Sequence, residues 1–208
     1  MILVLDLAYR PCSLSADEFV APVERVIRGE GFTTRVRHYT GVTPEDTAAS
    51  EGAVLCGTAL ADFGYLDRPG AFAWVSSSTL PILGICAGMQ VIAKLFGGDV
   101  APGVGIGMAG QAVVAPDPLL AGMERFEAYE LHGLAVVPPP FFRVLASSQG
   151  RPSVIRHPDR AVYGVLFHPE VRNEWLIRRF LALCRPGGRE RDTLKEEHAE
   201  TSPEERTG

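Results

Sequence analysis

The chain has 208 residues, 46% of them hydrophobic and 22% charged, enough for one domain with a sizeable core. A formal net charge of -5 gives no basis for binding nucleic acid or an anionic membrane surface. No apolar stretch approaches the roughly 20 residues needed to span a bilayer, and the four cysteines (Cys12, Cys56, Cys86, Cys184) form no C-x-x-C pair of the kind that holds zinc. Free thiols in a reducing cytoplasm are the expectation.

"ILVLDL" (2–7) is a short apolar run rich in branched residues, as in a buried parallel strand. It has no basic region ahead of it and reads as a first strand, not a signal peptide. "SADEFVAPVERVIRGEG" (15–31) predicts a helix, with Ser15 as N-cap, Glu18 completing a capping box and Gly29 or Gly31 as the stop. "TTRVRHY" (33–39), "GAVLCG" (52–57) and "LPILGIC" (80–86) read as strands, and "AGMQVIAKLFGG" (87–98) as a helix. This alternation implies a parallel sheet covered on both faces. Beyond residue 99, glycine, proline and short alternating runs predict strands joined by tight turns, an antiparallel extension of the sheet. "EVRNEWLIRRFLALC" (170–184) reads as a last amphipathic helix. The domain is expected to span 1–184, with a charged, disordered tail over 185–208.

Cys86 stands where a buried strand stops, with Gly84 and Gly88 two residues away on either side. A strand that ends in Gly-x-nucleophile-x-Gly and opens a helix is a nucleophile elbow. The sharp turn requires small neighbours and holds the side chain out at the carboxyl end of the sheet. The backbone N–H after it can donate to an oxyanion, and the positive helix end stabilises negative charge there.

A thiol nucleophile needs a base, and the base an orienting group. "FHPE" ends the apolar run "AVYGVLF" and places His168 two residues from Glu170 across a proline. In extended backbone both side chains point the same way. "RHPD" repeats the spacing with His157 and Asp159. However, 153–157 and 161–167 read as the arms of a hairpin whose turn is "PDR", so its two ends lie at opposite edges of the sheet. The longer apolar arm feeds His168, which makes His168 the candidate base and His157 a solvated turn residue.

These segments resemble the class I (triad) glutamine amidotransferases, most nearly the amidotransferase part of GMP synthetase. "PILGICAGMQ" is similar to the family's cysteine elbow and "GVLFHPEV" to its histidine–glutamate strand end. "YELHGLAV" (129–136) resembles its glutamine-binding loop, and "VLCGTA" (54–59) occupies the place of its oxyanion strand. The resemblance covers residues 1 to about 184. It implies a flavodoxin-like three-layer α/β sandwich, mostly parallel, with an antiparallel extension.

It further implies Cys86 as nucleophile, His168 as base and Glu170 as its orienter. The N–H of Ala87 would be one oxyanion donor and Gly57 or Thr58 the other. Gln90 and the backbone of Leu131, Gly133 and Leu134 would hold substrate glutamine. The implied reaction is glutamine hydrolysis through a cysteinyl thioester, without metal or organic cofactor. Its ammonia would pass to a separate synthetase subunit, the expectation being that the charged stretch after 184 is not a synthetase domain.

Four positions depart from the family pattern. Gly57, Thr58 and Ala59 replace two glycines and a proline, so Thr58 is expected in a conformation that glycine reaches more cheaply. Leu131 stands in place of a polar residue, and Leu166 where the GMP synthetase branch usually has glutamine. Two other classes stay open: a hydrolase of γ-glutamyl compounds, and a non-catalytic regulatory protein on the same fold.

Overall fold

The structure is a computed structural model that describes residues 1–185. The segment expected to form a charged tail therefore lies, apart from Arg185, outside the described residues.

The elements follow in chain order as β1 (Ile2–Asp6), α1 (Ser15–Phe19), α2 (Ala21–Gly29), β2 (Thr34–His38), α3 (Pro44–Ala48), β3 (Gly52–Leu55), α4 (Ala73–Ser77), β4 (Ile82–Ile85) and α5 (Ala87–Leu95). Then come β5 (Asp99–Val113), β6 (Arg125–Val137), β7 (Arg143–Ser148), β8 (Arg151–Arg156), β9 (Val162–Val165), α6 (Pro169–Arg172) and α7 (Glu174–Cys184). The strands form one sheet in the order β2-β1-β3-β4-β9-β8-β7-β5-β6. From β2 to β9 every neighbouring pair is parallel. From β9 onward every pair is antiparallel.

The strand period of two sorts β1 onto two cores. Ile2 and Val4 pack with α2 and α7 through Val23, Ile27, Ile177 and Phe180. Leu3 and Leu5 face the opposite side, with Val75 of α4 and Met89 and Ile92 of α5. The result is the expected three-layer sandwich, with the antiparallel half of the sheet following β9.

Several local expectations need correction. The helix over 15–31 is two helices that meet at Val20, with Pro22 in the first turn of the second. Proline offers no N–H, so it opens a helix more readily than it continues one. The Ser15–Glu18 capping box does not form; the cap position is Leu14, without a side-chain bond. A capping box forms instead at Thr43 and Asp46 of the unanticipated α3, where Asp46 also meets Arg35 and Arg37 at 3.0 Å each.

The last helix is likewise split at Asn173 into α6 and α7. The glycine-rich stretch after 99 is not a set of short strands. It is one 15-residue strand, β5, paired along its length with β6 and interrupted by a register shift between Pro102 and Gly105.

Candidate functional site

β4 and β9 are parallel neighbours with Ile85 opposite Val165. Cys86 is one residue past that pair and His168 three, so the register alone brings them to one place at the carboxyl end of the sheet. The N–H of Cys86 donates to the Val165 carbonyl at 2.7 Å, which ties the elbow to β9.

Cys86 has φ 48°, a left-handed conformation that a non-glycine residue adopts only under constraint. The flanking glycines supply the constraint. A Cβ on Gly84 would lie 2.4 Å from the carbonyl carbon of Gly88, and one on Gly88 would lie 2.3 Å from the Leu55 carbonyl oxygen. Neither contact is one a real Cβ can make, so the turn closes only with bare backbone at both places. α5 then starts at Ala87 with Cys86 as its N-cap residue, so the free N–H groups of its first turn lie at the elbow.

His168 Nδ1 lies 2.7 Å from Glu170 Oε1, both side chains almost fully buried. The pairing is the expected one, but its geometry is not extended. Glu170 stands in the first turn of α6, begun by Pro169, and that turn swings the carboxylate under the imidazole. The N–H of His168 donates to the Tyr129 carbonyl, and the Phe19 ring packs against the imidazole at 5.5 Å between centroids. His168 Nε2 has no direct hydrogen-bond partner, while Cys86 stands close enough to act on its charge. Burial pulls the imidazole toward its neutral form. The Cys86 thiol and the Glu170 carboxylate outweigh burial and raise its pKa to about 10.

The segment expected as a glutamine-binding loop is part of β6, the edge strand of the sheet. Its outer edge faces the elbow. The Glu127 carbonyl accepts from Asn173 Nδ2, the Tyr129 carbonyl from His168 N–H, and the Leu131 carbonyl from Cys86 Sγ at 3.5 Å. In an antiparallel strand a residue's N–H and C=O share an edge, so the N–H of Leu131 faces the thiol as well. Gln90, four residues into α5 from Cys86, donates from Nε2 to the Leu134 carbonyl at 3.3 Å.

Gly133 has Leu60 and Phe63 as its nearest neighbours, 3.8 and 3.9 Å from a Cβ built on it, so those two partly exposed side chains wall the opening. His132 points away from Cys86. Its Nδ1 meets the Gly103 carbonyl at 2.8 Å, beside Glu130. Burial pushes the Glu130 carboxyl up, but bonds from His132, Ser148 and Gln111 hold it down at about 2. This buried cluster fastens β6 to β5 behind the site.

Gly57 lies directly against the His168 ring. Thr58 does not have the glycine-like backbone expected of it. Among the described residues the non-glycine positions with positive φ are Cys12, Cys86 and Gln149. The Thr58 hydroxyl instead donates to Asp62 Oδ2 at 3.0 Å, and the same carboxylate takes the N–H groups of Tyr9 and Gly64.

His157 is not at the site, and it is not solvated either. It sits at the hairpin turn packed on Phe96, Phe141 and Phe142, and burial lowers its pKa. Phe19, Asp62 and Tyr65 went unanticipated. They come from the end of α1, a loop and the one-turn 3-10 helix Gly64–Asp67, where no sequence period marks a residue, and only the topology brings them to the site. Among the described residues no group of three or more His, Cys, Asp or Glu could hold a metal ion, and no helix is long and apolar enough to cross a membrane.

Residues 23–182 match the model of the glutamine amidotransferase class-I family. The chain is 36% identical over 159 residues to a glutamine-hydrolysing GMP synthase subunit of Methanothrix thermoacetophila, covering 72% of this chain and 85% of that protein. It is 33% identical over 180 residues to the protein of the same name from Methanosarcina barkeri, covering 80% and 92%. A solved Thermoplasma acidophilum protein, provisionally assigned as a GMP synthase subunit, superposes with a TM-score of 0.78 at 25% identity, covering 93% of this chain and 96% of that one. The chain belongs to the class-I glutamine amidotransferase family.

Proposed function

We propose that Cys86, His168 and Glu170 act as nucleophile, base and orienting group in the hydrolysis of glutamine to glutamate and ammonia. The ammonia is supplied to a synthetase subunit of the kind that makes GMP. The observation that carries this reading is the buried His168–Glu170 pair at 2.7 Å, set beside a thiol held in strained backbone at a helix start.

Glu170 holds the imidazole through Nδ1 and leaves Nε2 for the thiol. His168 takes the Cys86 proton, and the thiolate attacks the side-chain carbonyl carbon of glutamine. The oxyanion is met by the N–H of Ala87 and by an N–H of the Gly57–Thr58 segment, each worth roughly 3 kcal/mol. The C–N bond breaks and ammonia leaves with the proton from His168. Water, deprotonated by His168, then attacks the thioester carbon, which frees glutamate and restores the thiolate. Leu131 and Gly133 offer backbone groups, and Gln90 and Leu134 a polar wall, to the rest of the substrate. No step calls for a metal or an organic cofactor. Four free thiols suit the cytoplasm.

Of the other readings, a γ-glutamyl hydrolase would share the elbow but release an amine, and a regulatory protein would need none of these three groups. Relatives named for glutamine-hydrolysing GMP synthase favour neither.

The test is labelling with a glutamine-mimicking electrophile, read by peptide mass spectrometry. Cys86 is expected to react, while Cys12, which is exposed but not part of the elbow, is spared with the buried Cys56 and Cys184. Labelling that persists in Cys86→Ser, or glutamine hydrolysis by that variant, overturns the assignment.

A further inference from the structure

α6 is a single turn, Pro169–Arg172, and it carries Glu170. A helix that short does not hold itself together in water, so its shape is set by what its ends are tied to. At the near end the N–H of His168 donates to the Tyr129 carbonyl of β6. At the far end Asn173, which is buried, donates from Nδ2 to the Glu127 carbonyl at 3.1 Å. The Asn173 N–H also closes the turn on the Pro169 carbonyl at 2.8 Å. Carbonyls two residues apart on a strand share an edge and lie about 7 Å apart, while five residues of helix rise about 7.5 Å. The arch from His168 to Asn173 therefore spans one repeat of the β6 edge, with Glu170 between the two ties.

The carboxylate depends on that arch. Its Oε1 meets His168 Nδ1, but its buried Oε2 meets no donor among the described residues. Where the carboxylate lies is thus decided by the backbone that carries it. The orientation of the Asn173 amide is decided too. A backbone carbonyl only accepts, so Nδ2 must face Glu127.

We propose that Asn173 is a positioning residue for glutamine hydrolysis, which by tying the far end of α6 to β6 holds the Glu170 carboxylate at His168 Nδ1. The same strand edge carries the Leu131 carbonyl that accepts from Cys86 Sγ, so all three groups are registered on one strand. The inference rests on the reading of Cys86, His168 and Glu170 as nucleophile, base and orienting group. The groups that act on the charge of His168 are Cys86 from the elbow and Glu170 from α6, while Phe19 of α1 and Gly57 after β3 cover the ring without a charge. Loosening Glu170 removes part of what keeps the imidazole protonated, so its proton should leave at lower pH.

The experiment is Asn173→Ser. Asn173 is the N-cap residue of α7, and serine is favoured at that place, but its side chain is too short to reach Glu127. kcat/KM for glutamine is expected to fall about tenfold, on the scale of one buried hydrogen bond. Its alkaline limb should move to lower pH by about half a unit, the direction expected of Glu170→Gln. Asn173→Ala, which lacks the donor altogether, should move it as far. In the double variant Asn173→Ser with Glu170→Gln, the limb should stand where Glu170→Gln alone puts it. A merely structural tie would lower the melting temperature and leave the limb in place. Ile177→Val, which trims the buried face of α7, supplies that comparison.

A limb unmoved in either folded Asn173 variant overturns the proposal, as does a double variant whose shift is the sum of the two single shifts. Those outcomes with the limb of Glu170→Gln displaced defeat the Asn173 inference alone. A Glu170→Gln variant with the parent's activity and limb defeats the reading beneath it.

Discussion

The imidazole of His168 rests on the bare backbone of Gly57: a Cβ at residue 57 would stand 2.6 Å from Cε1 and 3.3 Å from Nδ1. The ring has no room to retreat, because Phe19 packs against it and Glu170 holds Nδ1. Gly57→Ala should therefore displace the imidazole without unfolding the sheet. A displacement near 1 Å in a catalytic group can cost about a hundredfold in rate. We expect kcat for glutamine hydrolysis to fall by about that factor with little change in melting temperature. Activity within threefold of the parent would mean the ring does not need this contact.

The two His-Pro-acid segments should separate cleanly. His168→Ala removes the base and should abolish measurable glutaminase activity. His157→Ala should leave turnover per folded molecule intact, because the β8–β9 hairpin holds that ring at the far end from Cys86. It should not be silent, however. His157 packs edge-on to Phe96, Phe141 and Phe142, so its loss should cost about 1 kcal/mol, a melting shift of about 3 °C for a chain of this size. Activity lost in His157→Ala and kept in His168→Ala would reverse the assignment.

Cys86 and His168 were legible because their signals are local. Glycines at ±2 of a cysteine and a proline between histidine and glutamate are visible in a linear string, and strand register does the rest. Leu131 and Leu134 were found through resemblance, yet their carbonyls belong to a long edge strand, not a loop. A glycine-rich partner strand hid the pairing of β5 with β6, since glycine carries no alternation to read. The breaks at Val20 and Asn173 were missed because the apolar spacing runs through both. Pro22 was the available sign of the first. The Thr58–Asp62 bond had no signature, because it joins two loop residues whose conformations depend on the strands around them.

Glu170 has a consequence for pH. Burial opposes charge on His168, while Cys86 and Glu170 favour it and bring the pKa to about 10. A group raised in this way stays protonated up to its own pKa. In the free enzyme the imidazolium proton is then held through neutral and mildly alkaline pH, and is lost as pH rises through about 10. Glu170→Gln keeps a hydrogen-bond acceptor near Nδ1 but removes the charge. The alkaline limb of kcat/KM for glutamine should move to lower pH in that variant, and kcat/KM should fall at every pH. An alkaline limb unmoved by Glu170→Gln would show that His168 does not set it.

The last prediction concerns dependence on a partner. Relatives of this chain are named as subunits of GMP synthase, and ammonia released without an acceptor wastes glutamine. We expect low basal glutaminase activity in the isolated chain, rising when the synthetase subunit binds. The route lies at Gly57–Thr58. The Thr58 hydroxyl is tied to Asp62 Oδ2, and the same oxygen accepts the Tyr9 N–H at 2.6 Å. The segment after β3 is thus latched to the segment after β1, both at the carboxyl end of the sheet where Cys86 opens. A subunit docking there can shift the latch and turn an N–H toward the developing oxyanion. Gain of one such donor is worth about 10²–10³ in rate, which sets the stimulation to expect. Thr58→Val keeps the side-chain shape but cannot bond to Asp62. It should raise the basal rate and shrink the stimulation by the same factor. Steady-state glutamine hydrolysis, with and without the synthetase subunit, is the measurement. Turnover of tens per second by the isolated chain, ordinary for a free-standing enzyme, would refute the dependence. A Thr58→Val variant that keeps the parent's basal rate and full stimulation would refute the latch.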